Sequence, residues 1–290
     1  MHGMKLSSTR TILGAVVTSL GLLVGVAAPP AAAATRVTAV IGSAYGYRAF
    51  GISLFGGVQS DTGPTPTVTL ASNATNSPQN ASAACGRVAY GPAILFTSDT
   101  ISIRSSGSLG TSGSATSTSS ISNINKATNT ACNGVTETGS EIFTANSLGG
   151  TATAGLTGTS VSTTVTNGTV ATHSNASVNC TSLTSPCGGH THDAANPDGI
   201  TAVPANPAAN YKVAGHVHLS DTSTDYYVIV FNERITNANG SVTVNPVHEY
   251  FGAKLDAAGN IVRDPPYTQG GSVLQGDMIL GQAVAGVTAK

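Results

Sequence analysis

The segment from residue 226 to residue 251 reads Tyr226-Tyr-Val-Ile-Val-Phe-Asn-Glu-Arg-Ile-Thr-Asn-Ala-Asn-Gly-Ser-Val-Thr-Val-Asn-Pro-Val-His-Glu-Tyr-Phe251. Two runs of β-branched and aromatic residues flank Asn237-Ala-Asn-Gly240, which ends in the Asn-Gly pair typical of tight turns. This pattern predicts a β-hairpin whose register is set by the turn. A third run of the same kind, from Ser272 to Gly281, follows it and predicts a further strand.

The remaining chain repeats this theme of short apolar runs between Gly- and Asn-rich turns, and no long helical pattern is visible after residue 34. We therefore predict an all-β fold, antiparallel and β-sandwich-like. Residues 35–104 and 212–290 hold most of the large apolar side chains and should be the most ordered. Residues 105–211 are low in complexity and rich in Ser, Thr and Gly, which predicts short strands and loops, with Gly107–Ser120 the most mobile part.

Residues 1–34 have the pattern of a signal peptide. Lys5 and Arg10 precede an apolar stretch, and Ala31-Ala-Ala-Ala34 offers small residues for cleavage. The alternative is a retained N-terminal transmembrane helix, but the apolar stretch breaks at Pro29 and falls short of the ~20 residues that a span needs. We expect an exported protein that begins near Thr35 and has no membrane insertion after the signal is removed.

Charge excludes one class of partner. The sequence has 12 Lys and Arg against 13 Asp and Glu, so the loss of Lys5 and Arg10 leaves a net charge of −3. Nucleic-acid-binding domains usually carry clustered positive charge, so this net charge disfavours nucleic acid as a partner. Charged residues make up only 9% of the chain, against about 25% in ordinary domains, so Ser, Thr, Asn and Gly must supply the surface polarity.

The four cysteines are Cys85, Cys132, Cys180 and Cys187. An even number in an exported chain predicts two disulfides. Cys180 and Cys187 enclose a short loop that is easy to close, which leaves Cys85 to pair with Cys132, although three pairings are formally open. A Cys/His metal site is the alternative, but the spacing matches none of the short Cys-x-x-Cys zinc patterns.

The histidines are the best candidates for chemistry. His216 and His218 lie two apart in a predicted strand and therefore share one face, where they can offer two imidazoles to one metal ion. His248 is the third candidate, and His190 with His192 forms a second His-x-His pair in a predicted loop. The simpler interpretation is that these histidines face solvent, and on that interpretation no metal and no cofactor are expected.

Catalytic constellations are not recognisable in the sequence. There is no Gly-x-Ser-x-Gly nucleophile elbow, and glutamates are few while Trp is absent, which disfavours a glycosidase cleft. We expect no catalytic residues. The alternatives are a secreted module that binds glycan or protein, and a metal-dependent secreted enzyme that uses the His-x-His pairs.

Three C-terminal motifs carry a family resemblance: Val228-Ile-Val-Phe-Asn-Glu233, Val242-Thr-Val-Asn-Pro-Val-His248 and Gly276-Asp-Met-Ile-Leu-Gly281. In this order they resemble the actinobacterial choice-of-anchor P family of exported proteins. Ala44-Tyr-Gly-Tyr-Arg-Ala-Phe-Gly51 with Gly63-Pro-Thr-Pro66 is similar to the opening of such proteins. The resemblance implies a non-catalytic protein, secreted or held at the cell envelope. A cell-envelope glycan or protein is the partner we expect.

Overall fold

The computed structural model describes residues 34–91, 93–126, 132, 134, 139, 142–176, 199–219 and 224–290. The signal-peptide prediction falls on residues outside these ranges, apart from Ala34. Cys180, Cys187, His190 and His192 also lie outside the described residues, so the disulfide predicted between these two cysteines stays a prediction.

The described residues fold almost entirely into β-strands, which confirms the all-β prediction. The first ten strands are β1 (Val37–Leu54), β2 (Ser60–Thr69), β3 (Gln79–Ala83), β4 (Gly86–Tyr90), β5 (Ala93–Ser98), β6 (Ile101–Ser108), β7 (Ser114–Ile124), β8 (Phe143–Gly155), β9 (Gly158–Thr166) and β10 (Thr169–Ala176). The next seven are β11 (Gly199–Ala202), β12 (Tyr211–Leu219), β13 (Thr224–Thr236), β14 (Val242–Phe251), β15 (Ala253–Leu255), β16 (Ile261–Arg263) and β17 (Leu274–Ala289). Within these ranges no helix has the length and hydrophobicity needed to cross a membrane.

The predicted hairpin is formed by β13 and β14, which pair in antiparallel register from Tyr227 opposite Phe251 to Thr236 opposite Val242. Gly240 takes a positive φ of 79° in the connecting loop, a conformation that glycine adopts at little cost. The third predicted run lies in β17, which pairs with β14 on one side and β1 on the other.

Thirteen strands form one sheet, whose main path runs β2-β1-β17-β14-β13-β12-β10-β8-β7-β6-β3, with β9 paired to β8 and β11 paired to β10. One pairing departs from the antiparallel pattern, because β10 and β12 run parallel, with His173 opposite His216. Residues 177–210 separate these two strands and exceed the dozen or so residues that a parallel connection requires.

The two halves of the sheet face each other, which gives the sandwich-like layering. β1, β14 and β17 pack against β6, β7 and β8. The largest side chains that are fully buried between the layers include Phe96, Phe143, Tyr227, Phe231 and Phe251. Burial of such aromatic side chains is the main favourable contribution to folding.

The Ser/Thr/Gly-rich middle of the chain is more regular than its composition suggests. The segment Gly107–Ser120, predicted to be the most mobile, falls on the end of β6 and on β7, and β7 is paired along its length with β6 and β8. Small inward side chains explain this, because they let two layers approach closely with few large residues. The buried cluster there comprises Val37, Val40, Leu70, Ala115, Ala152, Ala154, Val244, Ala283 and Ala285.

A row of irregular positions changes which side chains face inward. Asn232, Pro246 and Gly281 lie side by side on β13, β14 and β17, and Asn232 and Gly281 have positive φ angles of 52° and 75°. Val244 and Val247 are both fully buried although they are three residues apart. In a regular strand such residues would point to opposite faces. The inward-facing positions of β14 are therefore even-numbered before this row and odd-numbered after it.

The disulfide predicted between Cys85 and Cys132 is confirmed, with Cα atoms 5.5 Å apart. Cys85 lies between β3 and β4, so the bond ties this part of the sheet to the segment that precedes β8.

Candidate metal centre

His216 and His218 lie on the outer face of β12, as the alternation of the strand predicts. Val213 and Val217 point into the core and are each 7% exposed, whereas His216 is partly exposed and His218 is exposed. Their ring centroids are 4.8 Å apart. The prediction that these two imidazoles share one face is therefore confirmed.

A third histidine, His173 on β10, joins them through the parallel pairing of β10 with β12. Its ring centroid lies 4.8 Å from that of His216 and 5.2 Å from that of His218. Its Nδ1 atom is 2.8 Å from Nε2 of His216. One ring nitrogen from each of the three histidines falls within 4.8 Å of the other two. Sequence reasoning missed His173 as a candidate.

These separations suit a single metal ion. Zinc binds imidazole nitrogens at about 2.0–2.1 Å in tetrahedral geometry, which corresponds to nitrogen atoms roughly 3.3 Å apart. One pair of nitrogen atoms, Nδ1 of His173 and Nε2 of His216, is closer than this at 2.8 Å, and one nitrogen from each of the three histidines lies within 4.8 Å of the others. A single ion bound to all three nitrogens therefore requires the side chains to rotate about χ1 and χ2.

The electrostatics of the cluster favour the neutral imidazole at His216. Burial lowers the pKa of His216, and the neighbouring His218 and His173 lower it further. A neutral imidazole is the form that binds a metal ion. Nε2 of His173 is buried and has no hydrogen-bond partner among the described residues, which is an unfavourable state for a polar atom.

Thr224, at the start of β13, supports the cluster from the side. Its Oγ1 lies 3.1 Å from Nδ1 of His218, which leaves the other ring nitrogen of His218 for a ligand role. Hydrogen bonds of this kind orient metal-binding histidines and fix their tautomer.

His248 does not belong to this cluster. It lies on β14, and β13 separates it from β12. Its Nδ1 is 2.9 Å from Oε2 of Glu233, and its Nε2 is 3.4 Å from Oδ1 of Asp277. At 3.4 Å the second contact is an ion pair without a well-formed hydrogen bond. The prediction that His248 is a metal candidate beside His216 and His218 therefore does not match the arrangement of the strands.

The surroundings of His248 form a separate network on the outer face of the sheet. Burial alone would lower the pKa of His248, but the contacts with Asp277 and Glu233 outweigh it and raise this pKa. Burial opposes ionisation of Glu233, yet hydrogen bonds from His248, Asn245 and Tyr250 lower its pKa. The cationic form of His248 and the ionised form of Glu233 therefore stabilise each other, and the neutral Asn245 and Tyr250 add hydrogen bonds to the carboxylate.

No family model, curated protein or solved structure matches this chain.

Proposed function

We propose that this chain is an exported, non-catalytic protein of the cell envelope or extracellular space that binds a transition-metal ion through His173, His216 and His218. One observation carries the metal assignment: three imidazoles from two strands offer one nitrogen each within 4.8 Å of one another. Imidazole ligands suit Zn²⁺, Cu²⁺ and Ni²⁺, whereas Mg²⁺ and Ca²⁺ require oxygen ligands. Zinc and copper are therefore the ions to test first.

The position of the cluster supports binding more than catalysis. Sites with three protein ligands and one open position do occur in zinc enzymes. In those enzymes the protein also supplies a dry, shaped cavity that positions the substrate. Here His218 is exposed on the outer face of a sheet, where water reaches the ion. A metal-dependent secreted enzyme is the second candidate, and the three-histidine arrangement is what favours it.

Export is supported by the signal-peptide pattern of residues 1–34 and by the disulfide between Cys85 and Cys132. Disulfides persist in oxidising compartments and are rare in the cytosol. The resemblance to the choice-of-anchor P family supports the same location. A glycan or protein of the envelope is the partner that we propose. We expect the extracellular protein to begin near Thr35, which mass spectrometry of its N-terminal peptide will test; an exported product that retains Met1 would exclude cleavage.

The metal assignment predicts one Zn²⁺ or Cu²⁺ ion per folded chain in isothermal titration. His173→Ala and the double change His216→Ala/His218→Ala should each weaken binding by more than about 100-fold. Loss of a metal ligand costs more than loss of a residue that only hydrogen-bonds to a ligand, which typically weakens binding by about 10–100-fold. Thr224→Val removes the hydroxyl group that hydrogen-bonds to His218, and it should weaken metal binding by about 10–100-fold. Circular dichroism of each variant will check that the β-structure is intact.

The matched control is His190→Ala/His192→Ala, which removes a His-x-His pair of the same spacing. We expect this variant to bind as tightly as the wild type. Binding that survives His173→Ala but is lost in the control would reject the proposed centre. Ester hydrolysis by the zinc-loaded protein above the rate of free zinc, abolished by His173→Ala, would favour the enzyme over the binding protein.

A further inference from the structure

The outer face of β7 and β8 is lined by hydroxyl groups. Thr116, Thr118 and Ser120 alternate with buried residues along β7, while Thr151 and Thr153 do the same along β8. The register places Thr118 opposite Thr151 and Thr116 opposite Thr153. The threonines are therefore cross-strand neighbours on one face of the sheet.

The same chemistry continues onto the flanking strands. Ser160, Ser162 and Thr164 lie on the exposed face of β9, and Ser102 and Ser82 extend the rows across β6 and β3. Side chains on one face are about 6.6–6.8 Å apart along a strand and about 4.8 Å apart between strands. The result is a repeating grid of hydroxyl groups across five strands, which we call the hydroxyl face.

Charge is almost absent from the hydroxyl face. Arg104 on β6 is the one charged side chain among its described outward positions. A surface of this kind has no field that would attract nucleic acid, anionic lipid or an acidic polymer. Its complement is an uncharged ligand that both donates and accepts hydrogen bonds.

Part of the grid is free to bind. Toward β9 the hydroxyls pair with each other, since Oγ1 of Thr153 lies 2.5 Å from Oγ of Ser160 and Oγ of Ser147 donates to Oγ1 of Thr166. Thr118 and Thr151 make no such pairing with another described side chain. Two shallow grooves lie on the face, one of about 460 Å³ beside Thr118, Ser120 and Arg104 and one of about 360 Å³ beside Thr153 and Ser160.

We propose that the hydroxyl face binds a neutral polysaccharide. Such a polymer is uncharged, carries hydroxyl groups on every unit and repeats along its length, as the grid does. The described outward positions on these five strands hold no aromatic side chain, so stacking on sugar rings does not contribute. Each net hydrogen bond is weak, and useful affinity must come from many simultaneous contacts. The face therefore selects a polymer over a monosaccharide.

The test is a pull-down of the full exported protein with microcrystalline cellulose, chitin and immobilised dextran, with alginate as the acidic comparison. We expect retention on at least one neutral polymer, unchanged in 0.5 M NaCl, and none on alginate. Thr118→Val/Thr151→Val keeps the β-branched shape of both residues while it removes two hydroxyls. This variant should bind about tenfold more weakly.

The matched control is Thr236→Val/Thr288→Val, which makes the same change at two exposed positions of β13 and β17. It should bind like the wild type, as should the metal-centre variant His173→Ala. Failure to bind any of the three neutral polymers would overturn the proposal. So would retention that salt abolishes, or equal binding by Thr118→Val/Thr151→Val and the wild type.

Discussion

Replacing both Cys85 and Cys132 with Ser should lower the free energy of unfolding by about 4 kcal/mol, the chain-entropy value for a closed loop of this length. The two cysteines are separated by 47 residues, and without the bond the unfolded chain gains the freedom of that loop. Such a loss corresponds to a fall in Tm of roughly 10 °C for a chain of this size. Denaturant unfolding of the wild type and the variant under oxidising conditions will measure it.

The second cysteine pair provides the comparison. If Cys180 and Cys187 are bonded as the sequence predicts, Cys180→Ser/Cys187→Ser should cost less, about 2 kcal/mol, because the loop is shorter. Peptide mapping without reduction will identify the bonds directly. A Cys85→Ser/Cys132→Ser variant as stable as the wild type would show that the long loop contributes nothing.

Local features of the fold could be predicted from the sequence. The β13–β14 hairpin follows from two β-branched runs and an intervening Asn-Gly, all within 26 residues. The outward position of His216 and His218 follows from alternation alone. In both cases the deciding interactions lie between residues close in the chain.

Features that depend on distant pairing could not be predicted. His173 reaches His216 because β10 and β12 pair in parallel, and the two residues are 43 positions apart in the chain. Nothing local in the Ser/Thr-rich middle distinguishes His173. The order of β7 has a similar cause, since its small inward residues are stabilised by close packing against β17.

The contact between His248 and Glu233 depends on an irregularity of the strands. Val230 pairs with His248, and Glu233 is three residues beyond Val230. Regular alternation would place Glu233 on the opposite face from His248. The irregular row at Asn232 and Pro246 changes the alternation and brings the carboxylate onto the same face. When regular alternation is assumed along the β-branched run, the sequence does not reveal this change of face.

Glu249 is an ionisable residue at a buried, inward-facing position of β14. Alternation along β14 puts it on the inner face with Val247 and Phe251, and it is only 1% exposed. Its register neighbours, Ile229 and Met278, are fully buried. Its Oε1 atom is buried and has no hydrogen-bond partner among the described residues. A charged carboxylate in this position is strongly unfavourable.

Burial raises the pKa of Glu249 from 4.5 to about 8, although the charge of nearby His248 acts in the opposite direction. Below pH 4.5 both the folded and the unfolded chain hold the proton. Between pH 4.5 and 8 the folded chain holds it and the unfolded chain releases it, so stability falls as the pH rises. Each pH unit in this window costs about 1.4 kcal/mol.

Glu249→Gln should remove this dependence, because the amide stays neutral at every pH while it keeps the shape of the side chain. We expect the variant to be about 3 kcal/mol more stable than the wild type at pH 7 and equally stable at pH 4.5. Urea unfolding at several pH values will give the difference between the two proteins. The titration of other groups largely cancels in this difference, apart from the coupling between Glu249 and His248.

Glu233→Gln is the matched contrast. It makes the same chemical change on the adjacent strand, but we expect it to lower the stability of the protein at pH 7, whereas Glu249→Gln should raise it. The pKa of Glu233 is lowered by its partners, so its ionised form contributes stability that is present above pH 4.5 and lost as the pH falls through the folded-state pKa. Its replacement should therefore destabilise the protein at pH 7. The carboxylate of Glu249 lies among apolar side chains, whereas that of Glu233 accepts hydrogen bonds from Asn245, His248 and Tyr250. If both Gln variants changed stability in the same direction at pH 7, burial without a partner would not be the cause of the Glu249 effect.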